Sequence, residues 1–269
     1  MKNKIIFPNL LLVLLGVSFY IFSAYAQSSP ANLSSSLKVN VKSPKSAYIL
    51  GEVVPFNIEL RNEGLSDIHL SGTDAQSGYL KILISNSQAE FKEYTNSAWG
   101  NKKQPKKVLE PGQAVMSQAT VLSNAKPEIS HLNANAAERA SKGKIMTGYA
   151  FPEAGVYYIK AVLIIPGENL IKIESDPISI TINQPVGEDL EVWNKVKNRS
   201  DIAYFIQENQ FYAPNDEAKE NFLQEVRQII ENNPNSQIVS QIKRSVDEFR
   251  AREAKRKEFI EKIKQRQKN

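Results

Sequence analysis

The sequence predicts a mainly β protein with a smaller α part: an antiparallel β-sandwich over residues 37–184, then a C-terminal helical domain over 185–249 and a charged, basic helical tail over 250–269. Apolar residues recur every second position as far as residue 183, which is the rhythm of half-buried strands. After Pro185 they recur every three to four, which is the rhythm of helices. The chain of 269 residues contains no cysteine and two histidines, His69 and His131. Disulfides, thiolate nucleophiles and Cys-ligated metals are therefore excluded, and little remains for a His-based site.

The first segment reads as an address. Lys2 and Lys4 precede an apolar run over residues 5–22, and Ser23-Ala24-Tyr25-Ala26 puts small residues where signal peptidase needs them. The expectation is a signal peptide cut after Ala26, with no Cys at the cut to carry a lipid. Pro8 and Asn9 interrupt the run, whose length of about 18 residues is near the lower limit for a span. The mature chain is then expected to be periplasmic or secreted, and not an integral membrane protein. Residues 27–36 are Ser-rich and read as a disordered linker.

The strands follow in order. Leu37, Val39 and Val41 alternate with polar residues, as do Val54, Phe56, Ile58 and Leu60. Ile68 and Leu70 mark a short strand, and Leu80, Ile82 and Ile84 another. Glu110-Pro111-Gly112 is a turn leading into a strand over 115–122. Ala154-Gly155 opens the strongest strand, residues 156–165, and Ile178, Ile180 and Ile182 close the set. Seven or more short strands with turns between them and no helical period argue for a sandwich.

The run Tyr48-Ile49-Leu50-Gly51-Glu52-Val53-Val54, followed by Asn62-Glu63-Gly64, Leu109-Glu110-Pro111-Gly112 and Phe151-Pro152-Glu153-Ala154-Gly155-Val156-Tyr157-Tyr158, resembles bacterial immunoglobulin-like domains. Secreted macroglobulin-type domains and the small bacterial intracellular proteinase inhibitor domain carry similar patterns. The resemblance covers about 150 residues. It implies an immunoglobulin-like fold, and no inhibitory residue can be carried over.

In the helical part, Leu190, Trp193 and Val196 define one face, and Ile202, Phe205 and Ile206 a second short helix. Pro214-Asn215-Asp216 is a break and an N-cap. Ala218, Phe222, Val226, Ile229 and Ile230 form one stripe, and Ile238, Ile242, Val246 and Phe249 the facing one. The turn Asn232-Asn233-Pro234-Asn235-Ser236 stops the first helix and caps the next. The run over 222–236 resembles a tetratricopeptide-like helical hairpin, although one such unit cannot build a solenoid. Charge concentrates at the end. The chain is +5 overall. Residues 241–269, with 11 basic and 5 acidic side chains, carry +6. The basic tail is expected to be a solvated helix end, or else an arm for an anionic surface.

Two segments exceed what a minimal sandwich needs. Residues 94–107 join Tyr94 and Trp99 to Lys102, Lys103, Lys106 and Lys107. Residues 124–144 are polar, hold His131 and Arg139, and include a short helical pattern over 133–141. Tyr94, Trp99, Lys102, Lys103, His131 and Arg139 are the candidate partner-binding residues, because aromatics beside cations on loops suit recognition. No phosphate loop, nucleophile elbow, zinc motif or calcium loop occurs, so no cofactor or metal is expected. Glu63, Asp67 and Asp74 are acidic, but their spacing matches no calcium loop. The expected function is an exported, non-enzymatic protein-binding or scaffold module of the cell envelope, whose partner is another envelope or secreted protein and not nucleic acid. The alternative is a protease inhibitor or protease-associated domain.

Overall fold

In the computed structural model, which describes residues 35–95, 106–125, 146–166, 170–211 and 213–266, the strands between Leu37 and Asn183 precede the four α-helices between Glu188 and Arg266. The result is an α+β protein with mixed sheets. One sheet has three strands, β1 (Leu37–Lys42), β3 (Val54–Asn62) and β8 (Ala114–Val121), with β3 in the middle and antiparallel to both neighbours. Burial alternates residue by residue along β3 and β8, as the pleat requires.

The larger sheet runs in the order β2 (Ala47–Ile49), β13 (Ile178–Asn183), β11 (Gly155–Ile165), β5 (Leu80–Ser85) and β6 (Lys92–Glu93). The C-terminal end of β11 also pairs with β12 (Ile171–Glu174). Two short antiparallel pairs complete the strands: β4 (Ile68–Leu70) with β7 (Lys107–Leu109), and β9 (Ser123–Ala125) with β10 (Met146–Tyr149). Inward side chains of both large sheets, including Val39, Phe56, Ile58, Ile82, Ile159 and Ile180, belong to one hydrophobic cluster.

The antiparallel expectation fails at one place. β2 runs parallel to β13, with Ala47, Tyr48 and Ile49 opposite Thr181, Ile182 and Asn183. Pro44 lacks an N–H and interrupts the first strand. After β1, which pairs with β3, the chain therefore crosses to the other sheet and pairs along the outer edge of β13. Alternation reports which face is buried, and both pairing directions give the same alternation, so the sequence pattern is blind to this choice.

Asn62, fully buried at the end of β3, shows why the Asn-Glu-Gly step matters. Its side-chain amide donates to the Ser66 and Leu109 carbonyls at 2.8 Å each, and its carbonyl accepts from the Gly64 N–H at 2.9 Å. A buried amide with these three partners holds a turn without an orphaned polar atom.

Four α-helices follow: α1 (Glu188–Val196), α2 (Ser200–Glu208), α3 (Asp216–Asn232) and α4 (Gln237–Arg266). On α1 the buried residues are Val192, Trp193 and Val196, while Leu190 is 40% exposed. Trp193 and Val196 thus face inward as expected, and Val192 takes the inward place expected of Leu190. Asn215 caps α3 by accepting from the Ala218 N–H at 2.8 Å. Ser236 caps α4 by accepting from the Val239 N–H at 3.2 Å. The α3–α4 turn is gripped by α1. Asp189 accepts from the Ser236 hydroxyl at 2.6 Å and the Ile238 N–H at 3.2 Å, and both Glu188 oxygens accept from Asn235 at 2.8 Å. Two carboxylates sit beside the positive N-terminus of α4, where the helix dipole favours them. Phe205, Phe211, Phe222 and Phe249 form an aromatic cluster among α2, α3 and α4, with Phe211 stacked on Phe222 at 4.3 Å.

Candidate functional site at the strand–helix seam

Helices and strands share one continuous core, and their seam begins at the turn before β3. Gly51 has a φ of 84°, in the left-handed region that favours glycine. A Cβ there would lie 3.1 Å from both Ile238 Cδ1 and Trp193 Cε3, so the missing side chain lets α1 and α4 approach the turn. Glu52 closes it by accepting from the Ile49 N–H at 3.1 Å and from Lys45 Nζ at 2.6 Å. The Glu52 carboxylate also holds the Lys45 ammonium above its ordinary pKa. The Val53 N–H donates to Gln241 Oε1 of α4 at 2.8 Å. The Leu-Gly-Glu step, expected as a sandwich turn, is also the seat of the helices.

Tyr149 at the end of β10 packs edge-on against Trp193, with ring centroids 4.8 Å apart, and its hydroxyl donates to the Val196 carbonyl at 3.1 Å. Burial pushes this phenol well above its ordinary pKa, so it stays a neutral donor. Arg199, between α1 and α2, makes two bonds to Asp201 and one to Glu225 of α3. These carboxylates raise its pKa further, with the Asp201 bonds the largest cause.

Gln207 on α2 is the central tie. Its Oε1 accepts from the Leu122 and Ser123 N–H groups, each at 2.8 Å. These amides lie where the chain leaves β8 for β9, and Gln207 meets both lone-pair sites of a carbonyl with two backbone donors. The Tyr94 hydroxyl lies 2.6 Å from the Ser123 carbonyl and 3.1 Å from Gln207 Oε1. It carries one proton, held mainly by the nearer oxygen.

This tie joins the roots of the two segments that the sequence singles out. Tyr94 ends the described chain before residues 96–105 but for Thr95, and Ser123 opens the hairpin that brackets residues 126–145. Tyr94 itself, at 5% exposure, is an internal anchor and not an outward contact. Trp99, Lys102, Lys103, His131 and Arg139 lie outside the described residues, as does the helical pattern over 133–141. Gln207, Gln241 and Asp189 carry no sequence signal, because a polar residue on a helix ordinarily faces water.

Two depressions flank Pro152 and Glu153 beside the seam. One of about 490 Å³ lies against Tyr149, Trp193, Asn194 and Lys197. The other, of about 350 Å³, lies against Glu90, Lys92, Tyr94 and Asn124. Their described walls mix both charges with amide side chains. Among the described residues no cluster of three or more acidic or His side chains could hold a metal. Asp74 caps a short turn of helix through the Ser77 N–H, and Glu63 lies 3.9 Å from Lys38. His69 is exposed on β4. No described helix is long and apolar enough to cross a membrane.

No family model matches the chain, and no curated protein does. Solved structures similar to part of it include a β-glucosidase from Erythrobacter marinus, at 15% identity and a TM-score of 0.28 over 55% of this chain. The chain spans 15% of the length of that glucosidase. The C-terminal domain of wzt is similar at 10% identity and a TM-score of 0.33, over 56% of this chain and 75% of its own. The sporulation control protein Spo0M from Bacillus subtilis is similar at 14% identity and a TM-score of 0.29, over 60% of this chain and 54% of its own. At these levels the activities in those names belong to those proteins alone.

Proposed function

We propose that this chain is an exported, non-enzymatic protein-binding or scaffold module of a bacterial cell envelope, built on an immunoglobulin-like sandwich. Residues 1–26 direct export and are removed after Ala26, and the partner is another envelope or secreted protein. The sandwich reading is supported by two facing sheets and a first strand that divides between them at Pro44, its second half lying beside the last strand.

The observation that carries the binding reading is the Gln207 tie. The start of one long polar segment and the hairpin stem of the other are fastened to a single helix side chain. Recognition segments work best on a rigid support, because ordering lost in advance is not charged against binding. The test follows from the register. Ala125 pairs with Met146, so a two-residue turn can replace residues 126–145 and close the hairpin. The full chain used as bait in an envelope extract is expected to capture a partner that the shortened chain, melting at the same temperature, does not. Equal capture by both would remove the reading. The export part is checked by N-terminal sequencing of the chain from its host, which should begin at Gln27.

A further inference from the structure

We propose that the last four turns of α4 lie on an anionic lipid bilayer surface, with Phe259, Ile260 and Ile263 entering the headgroup layer. The inward stripe of α4 runs through Ile238, Ile242 and Val246 to Phe249. On the same face the next turns carry Arg252, Glu253 and Arg256. The last polar contacts with the body are made by Arg252 and Glu253: Arg252 to the Glu208 carbonyl at 3.3 Å, and Glu253 to Lys219 at 2.7 Å. Beyond them α4 continues for 13 residues to Arg266, about 20 Å at 1.5 Å per residue. All of those residues are exposed.

A helix end that is merely solvated has no use for large apolar groups. Here they return on the same face: Phe259 is 64% exposed, Ile260 40% and Ile263 39%. The charges are sorted around them. At about 100° per residue, Lys255, Lys262 and Arg266 flank the apolar stripe on one side and Lys257 and Lys264 on the other. Glu258 and Glu261 fall on the opposite pole. From residue 250 to 266 there are eight basic and three acidic side chains. An apolar centre, basic shoulders and an acidic back are the arrangement that seats a helix in the plane of an anionic interface. The alternatives fit less well. A second copy would bring the same cationic shoulders against this stripe, where a paired helix needs complementary charges and a longer apolar seam. Nucleic acid would have no use for the exposed isoleucines.

The test uses the chain beginning at Gln27, which keeps every described residue and removes the apolar run over 5–22. Its sedimentation with vesicles of three parts phosphatidylcholine to one part phosphatidylglycerol is compared with that on phosphatidylcholine alone, at about 0.1 M salt. Binding is expected at least about tenfold stronger to the anionic vesicles and is expected to weaken as salt rises. The variant carrying Lys255→Gln, Lys257→Gln, Lys264→Gln and Arg266→Gln should lose at least about tenfold on those vesicles. A second variant, Phe259→Ser with Ile260→Ser and Ile263→Ser, should lose about fivefold or more. Both should melt with the parent, since the altered side chains are exposed. Equal binding to both vesicle types, or undiminished binding by either variant, would overturn the proposal. So would a self-association that the serine variant abolishes while vesicle binding stays as it was.

Discussion

The interior of the strand body and its seam with the helices are held by different means. Inside the body the work is done by alternating apolar side chains such as Val54, Phe56, Ile58 and Leu60, and the backbone pairs with itself along the ladders. At the seam the ladders stop, and individual polar side chains serve the freed backbone groups: Gln207 for Leu122 and Ser123, Gln241 for Val53, and Tyr149 for the Val196 carbonyl. The body is thus tolerant of which apolar residue fills a position. The seam depends on the reach and polarity of a few particular side chains, because a buried orphaned amide costs more than a hydrogen bond gains.

The largest effect should come from the aromatic cluster behind the seam. Phe205→Ala empties a fully buried site against three other phenylalanines. It should cost about 3–5 kcal/mol in denaturant unfolding. Met116→Ala on the outer face of β8, a residue that is 63% exposed, should stay within about 0.5 kcal/mol.

Next is Gln207→Leu, which keeps the bulk but strands two backbone donors. The expected loss is about 2–4 kcal/mol, with faster hydrogen exchange at the Leu122 and Ser123 amides. Gln207→Glu retains acceptor oxygens and should retain the exchange protection. If leucine left both stability and exchange unchanged, the contrast between seam and body would be wrong.

Gly51→Ala sharpens the same comparison from the other side of the seam. The left-handed backbone and the crowding against Trp193 and Ile238 should together cost about 1–3 kcal/mol. A stabilised alanine variant would mean that the helices sit less tightly on this turn.

The smallest effect is electrostatic. The Lys219 ammonium, hydrogen-bonded to Glu253, holds that carboxyl below its ordinary pKa. A lowered folded pKa contributes stability that is present above the ordinary carboxylate value and disappears as pH falls through the folded value. For this partly exposed pair the contribution is a few tenths of a kcal/mol. Lys219→Met should flatten the acid limb of the stability curve by that amount. An unchanged acid limb in urea titrations at several pH values would show that the pair contributes nothing.

Much of this architecture was legible from residue order. The strands around Phe56, Val115 and Ile159 and the helices around Phe205, Val226 and Ile242 lie where the two rhythms put them, and Asn215 and Ser236 cap where expected. The parallel seat of β2 was not legible, nor was β10 at the end of the long polar segment. Strands of three or four residues carry few alternations, and unlike Ile68 and Leu70 of β4 these two lack a clear apolar pair to mark them. Tyr94 was legible as a distinctive aromatic, but not as a buried one. Nothing in its neighbours announces that a glutamine more than a hundred residues later will share its hydroxyl.

Residue order alone set the inward faces of the long strands, the starts of α3 and α4 and the point where strand rhythm gives way to helix rhythm, because burial periodicity and side-chain capping are local properties of a few consecutive residues. Only the tertiary structure decided that the helices join the strand core instead of standing apart, that Gly51 must stay bare and that Gln207 fastens two distant segments. Those facts depend on contacts between residues remote in the chain, and such contacts leave no periodic trace in it.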